Sequence, residues 1–326
     1  MRIRVLPLLT WFGLVAGLGL LAAPASAVTI DWVLVGDAGN APDTLSSNCF
    51  SASCGAVADA FRISRYEVTN AQYAELLNAK AGSDPLALYS TDMATYGGIT
   101  RSGSPGSYTY AVKAGWEDKP VNYVSFYDAM RFTNWLHNGQ GSGDTETGAY
   151  TLLGGTATPS NGYTVTRNPG AIAFLPSENE WYKAAYYDGL SATYFDYPAG
   201  TNTQTGCVAP GAAPNTANCD NAVGNVTDVG AYAGSASPYG TFDQGGNVWE
   251  WNEQIVSGPR RGIRGGGWGY DAGYLAASYG GVGYPPYEDG DVGFRVASPV
   301  PEPGTMLLGM TVMTCLAGLS WKRRSS

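Results

Sequence analysis

Apolar residues recur at helical spacing in three places, each opened by a hydroxyl residue. Thr69-Asn70-Ala71-Gln72 reads as a capping box, and Tyr73, Leu76 and Leu77 follow three and four residues apart until Gly82. Ser125 to Asp128 opens a second helix with Ala129, Phe132 and Leu136 on one face and Gly139 just past its end. Ser177 to Glu180 opens a third, which carries Trp181, Ala184 and Ala185 and is stopped by Gly189. Alternating positions predict strands over 28–35 and 163–166, and the short apolar run 171–175 fits a buried strand. Glycine-rich stretches at 97–106, 139–148 and 200–211 predict surface connections. Near the C-terminal end, Trp249 and Trp251 stand two apart, so in extended backbone they face one side and Glu250 the other.

Two longer apolar runs mark the ends. Arg2 and Arg4 precede a run over 11–23, and Ala25-Ser26-Ala27 follows, the pattern of a secretory signal peptide over 1–27 cleaved before Val28. No cysteine stands at the cleavage point, which excludes a lipoprotein. At the other end Val300-Pro301-Glu302-Pro303 precedes an apolar run over 304–321, long enough to span a bilayer, and Lys322, Arg323 and Arg324 would hold its end on the cytoplasmic side. Residues 299–326 thus resemble the PEP-CTERM sorting signal. The resemblance implies transient membrane insertion, a cut near the motif by a bacterial exosortase, and release toward the cell surface or its exopolysaccharide.

Removing both ends changes the charge. Five basic residues leave and all 27 acidic ones stay in Val28–Pro303, so the formal net charge falls from -9 to -14. So acidic a body excludes nucleic acid as a partner and suits a cation or a neutral or cation-bridged polymer. Its 45 glycines and 22 tyrosines, with only 14% charged residues, point to long ordered loops pinned by aromatic rings. Four cysteines remain outside the C-terminal run: Cys49, Cys54, Cys207 and Cys219. In an exported protein these suggest two disulfides, most simply Cys49 with Cys54 and Cys207 with Cys219, among three possible connectivities.

Three motifs, GGNVWEW (Gly245 to Trp251), RGGGW (Arg264 to Trp268) and GFR (Gly293 to Arg295), resemble the formylglycine-generating enzyme family of sulfatase-modifying factor domains. RYEVTN (Arg65 to Asn70) and LPSENEWYKAAYY (Leu175 to Tyr187) resemble its upstream segments. The resemblance implies an α+β architecture: a single C-type-lectin-like domain over 28–298, loop-rich, with a few short strands and about three main helices. It also implies calcium near the GNVWEW loop, held by the Asp243 side chain, the Gly246 and Val248 carbonyls and the Glu250 side chain, with Asn218 opening a second site. All of these supply hard oxygen.

Formylglycine-generating members resemble one another in a copper-binding cysteine pair after the GGSW segment, because soft thiolates select Cu(I). Here the corresponding positions are Tyr270 and Leu275, and no cysteine lies between Asp220 and Thr314, so no copper is expected. Other relatives use histidine-bound iron, but His137 is the only histidine, and it falls at a predicted helix C-terminus, where a partly charged ring is favoured. The segment after RGGGW instead offers Trp268, Tyr270, Asp271, Tyr274, Tyr279, Tyr284 and Tyr287, aromatic rings among small polar residues that suit an adaptable binding surface. The leading expectation is therefore a calcium-stabilised, non-catalytic binding domain for exopolysaccharide or a cell-surface protein. An oxidase-type or other enzyme with unrecognised residues, and a structural matrix protein, are the alternatives.

Overall fold

The computed structural model describes residues 27–301, and the predicted apolar runs over 11–23 and 304–321 lie outside them. Among the described residues, no helix is long and apolar enough to cross a membrane. The helices are α1 (Asn70–Lys80), α2 (Asp92–Thr95), α3 (Phe126–His137) and α4 (Glu178–Tyr186). All three predicted capping boxes form: Thr69 with Gln72, Ser125 with Asp128 and Ser177 with Glu180 each satisfy two amides that the first turn leaves free. The third helix stops at Tyr186, earlier than Gly189, because Tyr187 already enters a hairpin with Tyr194.

In chain order the strands are β1 (Trp32–Val35), β2 (Phe61–Ser64), β3 (Ile99–Ser102), β4 (Thr109–Val112), β5 (Tyr187–Asp188), β6 (Thr193–Tyr194), β7 (Gly206–Cys207), β8 (Thr216–Ala217), β9 (Trp249–Ile255), β10 (Arg261–Arg264), β11 (Gly281–Gly283), β12 (Val292–Gly293) and β13 (Ala297–Pro299). One sheet has the order β1-β2-β13 and a second the order β11-β10-β9-β12. The first joins the two ends of the domain, since β2 pairs antiparallel with both β1 and β13. Val28 is fastened beside it: its N–H donates to Gln140 Oε1 at 2.6 Å and its carbonyl accepts from Gln140 Nε2 at 2.8 Å.

A continuous core binds these sheets to α1 and α3. Tyr73, Leu76 and Leu77 meet Phe132, Phe294 and Val296, with the Phe132 and Phe294 rings edge to face at 5.4 Å. Burial of each large apolar side chain contributes roughly 1.5–3 kcal/mol, so this core can close within residues 28–301. Disulfides join Cys49 to Cys54 and Cys207 to Cys219. The second clips a long irregular stretch that otherwise offers only the two-residue pairing of β7 with β8.

Three strand expectations need correction. Residues 163–166 form no strand: the Gly162 and Val165 carbonyls accept from the Arg261 guanidinium instead of from a neighbouring strand. In 171–175 only Phe174 bridges, to Ala297, while the Leu175 amide donates to the Tyr150 hydroxyl. The first strand occupies only Trp32–Val35 of the 28–35 run. Two of the expected surface connections also carry pairing, since β3 lies within 97–106 and β7 within 200–211.

Candidate functional site

Strand β9 organises the site through its two faces. On one face, Trp249 and Trp251 lie over β11, where a Cβ on Gly281 would come 3.2 Å from the Trp249 ring and one on Gly283 only 2.3 Å from the Trp251 ring. Glycine at these two positions is what lets the rings approach the backbone. The opposite face carries Glu250, which is fully buried. Its Oε2 accepts from Arg295 Nε at 2.5 Å and from Trp181 Nε1 at 2.6 Å, and its Oε1 from Arg295 Nη2 at 2.6 Å. Arg295 is equally buried and also donates to the carbonyls of Ser64, Arg65 and Phe242. Burial works against its charge, and the surrounding carboxylates, Glu250 first and then Glu67 and Asp243, outweigh that effect.

The preceding loop is tightly wound. Asp243, Gly246 and Asn247 all have positive φ, and a Cβ on Gly246 would fall 2.4 Å from the Asn218 carbonyl. Asp243 Oδ2 accepts from the Gly230 amide at 2.5 Å, and a cavity of about 20 Å³, room for one water, lies against it. Burial is the main cause that raises the Asp243 carboxyl to about 6. Glu67 from the RYEVTN segment is buried nearby, with one oxygen bonded to Asn247 Nδ2 at 3.1 Å and the other without a partner. Burial, and then the Asp243 charge, raise it well above the usual carboxylate range.

The expected calcium arrangement does not fit this geometry as a set. Calcium takes six to eight oxygens, whereas both Glu250 oxygens are committed to a guanidinium and an indole. Asn218 is anchored through its Nδ2, which donates to the Asn225 carbonyl and to Asn247 Oδ1, while its Oδ1 has no partner. His137 closes the last turn of α3, where the sequence placed it, and its Nδ1 accepts from the Ile172 amide at 3.1 Å.

Three of the predicted binding residues, Tyr270, Tyr274 and Tyr279, form an aromatic surface above β9. Trp249 is the buried base, with Tyr270, Tyr274 and Tyr279 ring centroids at 5.4, 6.2 and 5.9 Å from its own. Tyr274 lies 4.9 Å from Tyr270 and 4.3 Å from Tyr279, so the four rings brace one another. Tyr270 and Tyr279 are 38% and 39% exposed, and Tyr284 and Tyr287 are more so. Trp268 is half-buried and its Nε1 reaches the Gly290 carbonyl at 3.4 Å. Asp271 has a local task, since its Oδ1 caps the short turn Ala272–Leu275 through the Gly273 amide. Of the two residues expected to correspond to the family's copper-binding cysteines, Tyr270 stays at the surface while Leu275 is fully buried beside Cys219.

Two further rings belong to this face. The Asp289-Gly290-Asp291 turn runs beside Trp268 and Tyr270 on one side and Tyr123 on the other, where the Tyr123 amide donates to the Asp289 carbonyl at 2.9 Å. Tyr96, highly exposed, lies 6.4 Å from Tyr123. Burial raises the Asp291 carboxyl to about 6, and Asp289 adds to it. The Tyr270 phenol is raised by burial and then by Asp291 and Asp289, and Tyr287 chiefly by its bond to Asp289.

The profile of the sulfatase-modifying factor enzyme 1-like domain matches residues 32–300. The chain belongs to that family. The PEP-CTERM protein-sorting motif matches residues 299–324, which marks the protein for export, surface sorting and processing by an exosortase. Among solved structures, CarF shares 22% identity at a TM-score of 0.56, over 84% of this chain and 99% of its own. Treponema denticola variable protein 1 shares 23% at 0.52, over 82% and 95%. These likenesses support the fold, the single C-type-lectin-like α+β domain. Among curated relatives, hercynine oxygenase of Mycolicibacterium smegmatis is 24% identical over 67% of this chain and 48% of its own length. The Mycobacterium tuberculosis hercynine oxygenase is 24% identical over 50% of this chain and 32% of its own. The chain spans about half the length of these relatives or less.

Proposed function

We propose that this family member is an exported recognition domain that binds a glycan at the cell surface through the aromatic surface above β9. The observation that carries the reading is the arrangement of Tyr270, Tyr274 and Tyr279 on the buried Trp249, with exposed faces held rigidly by ring contacts rather than by mobile loops. Flat rings held in place bind at low ordering cost. The same segment supplies no thiolate, and one histidine cannot furnish a multi-imidazole metal centre. The sorting motif favours a glycan, because it directs the chain toward the surface and its exopolysaccharide. Calcium is not needed by this reading, since the Glu250 charge is already matched by Arg295.

A second reading is enzymatic, favoured by the similarity to two proteins named as oxygenases. Titration of residues 28–301 against exopolysaccharide from the source cells separates the two. Saturable binding that is lost in a Tyr270→Ala/Tyr279→Ala variant is expected, and the absence of any binding by the folded protein would refute the recognition reading.

A further inference from the structure

Within residues 268–294 the exposed rings alternate with charges of one sign. Residues 268–294 include Asp271, Glu288, Asp289 and Asp291 and no Lys or Arg. The two basic side chains that bracket this stretch, Arg264 and Arg295, are buried and tied to Glu178 and Glu250, each at 2.5 Å, so they add no positive charge to the face. Asp289 and Asp291 flank Gly290 between two aromatic groups: Trp268, Tyr270 and Trp249 on one side, Tyr123 and Tyr96 on the other. A point where a Cβ on Gly267 would stand is 3.2 Å from Asp291 Oδ2 and 3.3 Å from Trp249 Cδ1, so carboxylate and indole meet at the surface base. What acts on the Asp291 carboxyl is burial, the Asp289 charge and a backbone hydrogen bond, with no basic side chain among the causes.

Resting on the recognition reading above, we infer that the ligand of this surface is a cationic glycan, one that carries ammonium groups on its sugar rings. Aromatic faces attract organic cations through their quadrupoles, and adjacent carboxylates add direct Coulomb attraction. A uronic acid or sulfated sugar on Tyr270 and Tyr279 would instead meet the Asp289 and Asp291 carboxylates and be repelled. A neutral sugar could stack on Tyr270 and Tyr279, yet it would leave Asp289 and Asp291 desolvated without a countercharge. The phenol shifts agree with this geometry: burial raises Tyr123 first, and the remaining charged neighbours that raise it further are the carboxylates Asp92, Asp289 and Asp291 and the phenol of Tyr96.

The test is calorimetric titration of residues 28–301 at pH 7 with four oligomers of equal length. These are trimethylated chitosan, whose charge does not depend on pH, N-acetylated chitin, oligogalacturonate and oligolysine. Trimethylated chitosan should bind at least tenfold more tightly than chitin, and oligogalacturonate should not bind. Asp289→Asn/Asp291→Asn should weaken the chitosan by roughly tenfold while leaving chitin within about twofold, and added salt should reduce the preference. Circular dichroism and the melting temperature establish that the variant is folded. Equal binding of chitin and chitosan overturns the charge inference and leaves glycan recognition standing. Binding of oligolysine without chitosan overturns it in favour of a basic protein ligand. Failure of all four, together with the cell's own exopolysaccharide, overturns the recognition reading itself.

Discussion

Glu250→Ala is the most informative single change, because it separates two accounts of the same motif. The carboxylate accepts three short hydrogen bonds, two from Arg295 and one from Trp181, with neither charged partner exposed to solvent. Removing one member of a buried pair leaves the other charge uncompensated and costs about 3–5 kcal/mol. Asp243 and Glu67 lie close enough to Arg295 to offset part of that loss, which places the expectation near 3 kcal/mol. In urea, with an m-value of about 3 kcal/mol/M for a domain of this size, the midpoint should fall by about 1 M. The measurement is tryptophan fluorescence against urea on residues 28–301, once with calcium and once with EDTA. The ion pair predicts the same loss in both. A loss below about 1 kcal/mol would refute the argument, and so would a loss seen only with calcium, since that result makes Glu250 a cation ligand. Glu250→Met/Arg295→Met should cost less than Glu250→Ala alone, because it removes both charges and keeps the volume.

Three other perturbations test separate parts of the structure. Burial raises the fully enclosed Asp128 carboxyl from 3.8 to about 6, so the folded state holds its proton more tightly than the unfolded chain does. The stability this contributes is complete below pH 3.8 and lost as pH rises through 6; Asp128→Asn should therefore gain up to about 3 kcal/mol relative to wild type between pH 3.5 and 7.5 in urea titrations. Cys207→Ala/Cys219→Ala opens a loop of sequence separation 12 and should cost about 2–4 kcal/mol by the same assay. Gly283→Ala, whose Cβ would lie 2.3 Å from Trp251, should cost about 1–3 kcal/mol, and an unchanged melting curve would contradict the account of why β11 is glycine-rich.

The helices were readable because their signals are local. A capping box lies within four residues, and Thr69, Ser125 and Ser177 each meet their partners with no help from distant chain. The strands were less readable because a strand needs partners that alternation does not name. Val165 is buried as its pattern predicts, yet its carbonyl is satisfied by the Arg261 side chain, so the segment is apolar without being paired. Leu175 repeats the case, with the Tyr150 hydroxyl accepting its amide. In a loop-rich fold, long polar side chains take over hydrogen bonds that a sheet would provide, and periodicity does not report them.

The site divides in the same way. The alternation of Trp249, Glu250 and Trp251 correctly assigned each side chain to a face, because period two is a property of the strand itself. What Glu250 meets on its face is set by Arg295, 45 residues further on, and by Trp181, 69 residues earlier. Of the oxygens expected to face a cation, those of Glu250 face a guanidinium of its own chain. Tyr96 and Tyr123 were missed for a related reason: their segment reaches the aromatic surface through contacts distant in sequence, among them the Tyr123 amide bond to Asp289 and the Asn122 side-chain amide bond to the Gly290 carbonyl. The first case follows from how this fold assembles its motifs, with Glu250, Arg295, Glu67 and the Trp181 indole brought into a single buried cluster. Each motif is incomplete alone, and its residues take their roles from which other motif the fold places against them.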